Sequence, residues 1–126
     1  MHNNKITLIG AGLSGPLMAT YLTHHGYNVD IYEKRSDMRI NNLPAGRSIN
    51  LALSIRGIRA LKEVGVYEGI KPLMIPMKGR MIHDIDGKSS LHPYGQRNDE
   101  VIYSISRAEL NKKLITVAEQ TGKVQF

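Results

Sequence analysis

The chain has no cysteine, no tryptophan and a single phenylalanine among its 126 residues. Without cysteine there is no disulfide framework, no thiolate zinc site and no cysteine nucleophile. No apolar run approaches the roughly 20 residues that span a bilayer. The first such run, Ile6 to Ile9, is too short for a secretory signal and is broken by Gly10. Internal repeats and low-complexity tracts are also missing. These absences set the expectation of a cytoplasmic, globular protein of one ordinary domain. The 41% hydrophobic and 22% charged residues agree, since a disordered chain would be poorer in the first.

Negative charge is in deficit: 17 Lys and Arg stand against 11 Asp and Glu, a formal net charge of +6. An anionic ligand is the simplest use for that excess. Nucleic acid is disfavoured, because the basic residues are scattered and few aromatics lie among them to stack on bases.

The pattern along the chain opens as a strand, Lys5 to Ile9, then Gly10-Ala-Gly-Leu-Ser-Gly15, then a helix from Pro16 to His25. Pro16 suits a first helical turn, where its missing N–H is not needed, and Gly26 suits the helix end. A second strand, Asn28 to Tyr32, ends on Glu33, which completes one βαβ unit. Lys34 to Arg47 reads as loop. Ser54 caps a helix that closes at Gly65. Met77 to Ile85 reads as one strand, turning at Asp86-Gly87 and returning to His92. Val101 to Ile105 is a further strand. Ser106-Arg-Ala-Glu109 is a capping box that opens a helix to about Gln120. Lys123 to Phe126 reads as the start of a third strand. Two parallel strands and the beginning of a third do not complete a sheet that must be buried on both faces. The expectation is therefore an α/β, Rossmann-like chain that forms the N-terminal part of a longer domain. Its unfinished sheet would offer an edge for self-association.

Three glycines in six residues say little alone, but here a strand precedes them, a helix follows, and Glu33 ends the second strand 18 residues after Gly15. Gly10 permits the tight turn, Gly12 lets backbone approach a pyrophosphate, and Gly15 lets helix and strand pack closely. N–H groups around Leu13 and Ser14 face the phosphates at the positive end of the helix dipole. Glu33 accepts from ribose hydroxyls and repels a 2′-phosphate, which suits FAD or NAD over NADP at this position. The motif does not separate FAD from NAD.

Four later blocks do. They are Gly46-Arg-Ser-Ile-Asn-Leu-Ala-Leu-Ser-Ile-Arg-Gly57, Met77-Lys-Gly-Arg-Met-Ile-His-Asp84, Pro93-Tyr-Gly95 and Tyr103-Ser-Ile-Ser-Arg-Ala-Glu-Leu-Asn111. In this order and spacing they resemble the kynurenine 3-monooxygenase family of FAD-dependent aromatic hydroxylases. With the βαβ unit, the likeness spans nearly the whole chain.

The resemblance implies an FAD-binding domain with a small β-hairpin on the substrate side. Gly10, Gly12, Leu13, Ser14 and Gly15 would lie at the pyrophosphate. Tyr32, Glu33 and Arg35 would lie near the adenosine ribose, Ala52 against the flavin, and Arg107 would reach the cofactor. Arg80 and Tyr94 would hold the amino-acid carboxylate of L-kynurenine. NADPH and oxygen would be the co-substrates, with hydroxylation ortho to the ring amino group. No catalytic acid–base pair and no metal site is implied. The competing readings are a related hydroxylase with another carboxylate-bearing substrate, an NAD-dependent dehydrogenase, and a non-catalytic nucleotide-binding fragment.

Overall fold

A computed structural model describes residues 4–40 and 49–126. The loop expected over Lys34 to Arg47 falls partly outside those residues, as do Gly46, Arg47 and Ser48 of the first block. The described elements are β1 (Lys5–Ile9), α1 (Ser14–His24), β2 (Asn28–Tyr32), β3 (Asn50–Leu53), α2 (Ile55–Glu63), the one-turn α3 (Tyr67–Ile70), a 3₁₀ turn at Lys71–Leu73, β4 (Ile75–Met77), β5 (Gly79–His83), β6 (Ser89–Pro93), β7 (Ile102–Ser106), α4 (Arg107–Gln120) and β8 (Val124–Gln125).

Three sheets organise them. The first is parallel, in the order β1-β2-β8, with Lys5 opposite Asn28 and Val29 opposite Val124. The short C-terminal strand, expected as the start of a third strand, pairs with β2. The second sheet is antiparallel, in the order β3-β7-β4. The third is the β5-β6 hairpin.

Two apolar cores lie behind these sheets, and α4 belongs to both. Its residues Leu110 and Leu114 join Leu53, Ile58, Leu61, Val64, Val66, Ile70 and Ile105. One turn further, Ala118 joins Ala11, Ala19, Val29, Ile31 and Val124 behind the parallel sheet. The spacing of four puts all three α4 residues on one helix face. The helix therefore ties the second sheet to the βαβ unit.

The capping box is half made. The Ser106 hydroxyl accepts from the Glu109 N–H at 3.3 Å, while the Glu109 carboxylate turns to Lys112 at 3.2 Å. Ser106→Ala is expected to cost about 0.5–2 kcal/mol, read as a lower urea midpoint at unchanged slope. Ser54 precedes α2, but its hydroxyl makes no capping bond.

The single strand expected from Met77 to Ile85 is two strands. Met77 pairs with Ile102 in the second sheet, whereas Gly79 pairs with Pro93 in the hairpin. The chain changes sheets at Lys78. Gly79 marks the change because a Cβ there would lie 2.8 Å from the Pro93 Cα, closer than packed carbons allow. The hairpin turn is also longer than two residues. Asp84 N–H donates to the Lys88 carbonyl at 2.8 Å, and Gly87 N–H to the Asp84 carbonyl at 2.9 Å.

Candidate dinucleotide-binding site

The glycine segment runs from the end of β1 into α1, beside the end of β2. Gly10 adopts φ +99°, a left-handed conformation that glycine reaches at no steric cost. Its N–H donates to the Tyr32 carbonyl at 2.7 Å, which pins the turn to β2. A Cβ on Gly15 would collide with the Gly10 carbonyl oxygen. A Cβ on Gly12 would meet nothing within 4 Å. Gly15 is thus required by the protein's own packing, while Gly12 leaves open space on the outer side of the turn. The first turn of α1 has no side-chain cap and no acidic residue, so its leading N–H groups around Leu13, Ser14 and Gly15 are left for an external acceptor.

Beside this turn lies a groove of about 440 Å³, lined by Ile9, Gly10, Gly12, Tyr32, Glu33, Lys34 and Arg35. Ile9 and Tyr32 are the last residues of β1 and β2 and are strongly exposed there. Ligands of open α/β sheets bind at this carboxyl end of the strands. Ile9 and Lys34 are lining residues that motif reading missed. An apolar residue closing β1 directly before the glycine turn is the signal that marks Ile9.

Glu33 is held on two sides. Its Oε2 accepts from the Ala11 N–H at 2.8 Å. Its Oε1 accepts from the Arg35 backbone N–H at 3.0 Å and from Arg35 Nε at 2.9 Å, with Arg35 Nη2 on Oε2 at 3.3 Å. These bonds occupy all four acceptor positions of the carboxylate. A further donor could reach the carboxylate only by displacing the guanidinium, whose side chain is 63% exposed. The Ala11 bond stays in place.

The Arg35 guanidinium, followed by the Ala11 and Arg35 backbone N–H groups, lowers the Glu33 pKa from 4.5 to about 2. A folded-state value below the unfolded one gives stability that is complete above about pH 4.5 and lost as pH falls toward 2. Glu33→Gln is expected to flatten that part of the acid limb in urea midpoints measured from pH 5 down to 2. At neutral pH the carboxylate stays charged, so Glu33 titration leaves ligand binding unaffected from pH 5 to 8.

The segment after Glu33 is fastened to α4. Arg39 bonds Asp37 at 2.6 Å and Glu119 at 2.7 Å, and Asp37 is held below its ordinary pKa by Arg39. Asn111 of α4, buried to 6% exposure, donates through Nδ2 to the Ala11 carbonyl at 3.1 Å and to Met38 Sδ at 3.1 Å.

The other candidate residues lie away from the groove. Ala52 is exposed on β3, opposite Ser104 of β7. Arg107 is the first residue of α4 and makes no side-chain hydrogen bond or ion pair among the described residues. It stands one helical turn before Asn111, which touches the glycine turn. Arg80 and Tyr94 come together on the hairpin. Arg80 is opposite His92, and the Tyr94 N–H extends the ladder to the Lys78 carbonyl at 3.0 Å. Directly opposed residues share a sheet face and alternate along it. Lys78, Arg80, His92 and Tyr94 therefore present one face with basic groups beside a phenol. His92 had no place in the motif reading, because only pairing register reveals it.

Residues 8–49 match the family described as NAD(P)-binding Rossmann-like domain. The chain overlays a crystal structure of p-nitrophenol 4-monooxygenase from Pseudomonas putida DLL-E4 with a TM-score of 0.75 at 17% identity, covering 95% of this chain and 30% of that one. It overlays 2-methyl-3-hydroxypyridine-5-carboxylic acid oxygenase with a TM-score of 0.74 at 20% identity, covering 98% and 31%. The fold is that of the Rossmann-like part of these oxygenases.

Sequence likeness is narrower. The chain is 47% identical over 123 residues to kynurenine 3-monooxygenase of Xanthomonas campestris pv. campestris (strain 8004), covering 97% of this chain and 27% of that protein. It is 46% identical to kynurenine 3-monooxygenase of Myxococcus xanthus (strain DK1622), covering 98% and 26%. The resemblance carried by the sequence blocks is thus to the N-terminal part of kynurenine 3-monooxygenases, and the chain spans about a quarter of the length of these relatives. Among the described residues, no helix is long and apolar enough to cross a membrane.

Proposed function

We propose that this chain is the N-terminal, FAD-binding part of a longer hydroxylase that acts on L-kynurenine. The observation that carries the reading is identity of 46–47% over nearly the whole chain to relatives of that name. The residues present fit the cofactor. Open space stands over Gly12, uncapped N–H groups lead α1, and a carboxylate lines the groove.

In this reading the turn of Gly10, Gly12, Leu13, Ser14 and Gly15 binds the FAD pyrophosphate. Tyr32, Glu33 and Arg35 hold the adenosine ribose, Ala52 lies against the flavin, and Arg107 brings a positive charge to the cofactor. When bound, FAD supplies the oxygen activation: NADPH provides two electrons, one oxygen atom enters the aromatic ring and the other leaves as water. Arg80 grips the substrate carboxylate with two parallel hydrogen bonds, Tyr94 orients it through its O–H, and together they set which ring carbon faces the cofactor.

A related hydroxylase with another carboxylate-bearing substrate would use the same face. A panel of aromatic acids tested for stimulation of NADPH oxidation by the complete reading frame separates the two. The proposal predicts that L-kynurenine stimulates most strongly. Stronger stimulation by another aromatic acid would overturn the substrate assignment and leave the flavin reading.

A further inference from the structure

We infer that Asn111 is a positioning residue for the dinucleotide site, setting the shape of the phosphate-binding turn from the far side of the fold; the inference rests on the FAD-binding reading above. Ala11 lies inside the glycine turn. Ala11 is gripped at both polar atoms of its backbone. Its N–H goes to Glu33 Oε2 at 2.8 Å and its carbonyl to Asn111 Nδ2 at 3.1 Å. The flanking Gly10 and Gly12 bring little rigidity of their own, so these two bonds, together with that of the Gly10 N–H to Tyr32, fix how the turn's remaining N–H groups aim.

The amide orientation follows from its neighbours. Both Nδ2 hydrogens have an acceptor, Ala11 O and Met38 Sδ. A flipped amide would set its oxygen against the Ala11 carbonyl, acceptor on acceptor. The consequence is an orphan: Asn111 Oδ1 is buried with no hydrogen-bond partner among the described residues. A leucine would fill this apolar flank of α4 without desolvating an oxygen. That leucine would, however, leave the buried Ala11 carbonyl without its donor, so the amide is kept here for its bond to the glycine turn, at the cost of one orphaned oxygen.

Asn111 follows Arg107 by four residues on α4, so both sit on the same helix face. The helix is held at its other end by the Arg39–Glu119 pair, from the segment that follows Glu33. Asn111 thus sets the turn in register with the two elements proposed to carry Glu33 and Arg107 to the cofactor.

The test uses the complete reading frame, stripped of flavin, with FAD affinity measured by fluorescence quenching and the melting temperature of the apoprotein measured in parallel. Asn111→Leu removes the donor and the orphan together. Asn111→Asp keeps the shape but turns an acceptor toward the Ala11 carbonyl. Ile115→Val, one turn along α4 and buried, is the packing control. The expected result is FAD affinity weakened at least tenfold in both Asn111 variants, at temperatures where the apoprotein is fully folded, with wild-type affinity in Ile115→Val. Should Asn111→Leu fail to fold, the isosteric Asn111→Asp decides. Variants that lose melting temperature but keep wild-type FAD affinity would overturn the positioning role. A wild-type protein that binds no FAD would overturn the cofactor reading and this inference with it.

Discussion

Gly15→Ala is expected to destabilise the fold by about 1–3 kcal/mol and to strip the protein of bound flavin. The new methyl group would collide with the Gly10 carbonyl oxygen. This obstacle is backbone and has no rotamer to escape into. Nor can Gly10 move freely, since its N–H is tied to Tyr32 at 2.7 Å and its φ of +99° is already special. Relief therefore requires α1 to back away from the strand end, which displaces the leading N–H groups from the place proposed for the phosphates. Gly12→Ala is the contrast. Its methyl group meets no protein atom within 4 Å, so folding is kept while it projects into the space proposed for the pyrophosphate. Urea midpoints and the flavin-to-protein absorbance ratio of the purified complete protein check both variants. Equal melting of Gly15→Ala and wild type would show that the turn is looser than described.

Arg80→Ala is expected to lower kcat/KM for L-kynurenine by roughly 10–100-fold, the loss of about 1.5–3 kcal/mol from a charge-assisted pair. Arg80 is exposed on β5 and makes no side-chain hydrogen bond or ion pair among the described residues. Its removal should therefore leave melting temperature and FAD content unchanged. Arg80→Lys should recover only part of the loss, because an ammonium cannot reproduce the planar two-point grip. Tyr94→Phe should cost less, about 0.5–1.5 kcal/mol for one neutral hydrogen bond. Steady-state kinetics over a range of L-kynurenine concentrations distinguish these effects. An Arg80→Ala enzyme with wild-type kcat/KM would remove the hairpin from substrate binding.

Local rules made the βαβ unit readable in the sequence. Strand period, the three glycines and Glu33 all act within about 30 residues, and the close packing expected at Gly15 is seen against Gly10, whereas the bond from the Ala11 N–H to Glu33 was not legible. The Ser106 cap was readable for the same reason, since its bond reaches only three residues ahead. What escaped depends on distant pairing. The break at Lys78 arises because β4 finds β7 while β5 finds β6, a competition between sheets that strand propensity does not record. His92 joins the Arg80 face only through hairpin register. Asn111 meets Ala11 across 100 residues of chain, and its amide sits in an otherwise ordinary amphipathic helix. The substrate reading rests on the later blocks and not on local physics, since an exposed strand arginine is by itself unremarkable.

The most direct test of the account is product identification after incubating the complete reading frame with L-kynurenine, NADPH and oxygen. The expected result is a flavin-containing protein that forms 3-hydroxykynurenine, one oxygen atom heavier than the substrate, with formation collapsing in Arg80→Ala. NADPH consumption that yields only reduced oxygen, with L-kynurenine recovered unchanged, would contradict it.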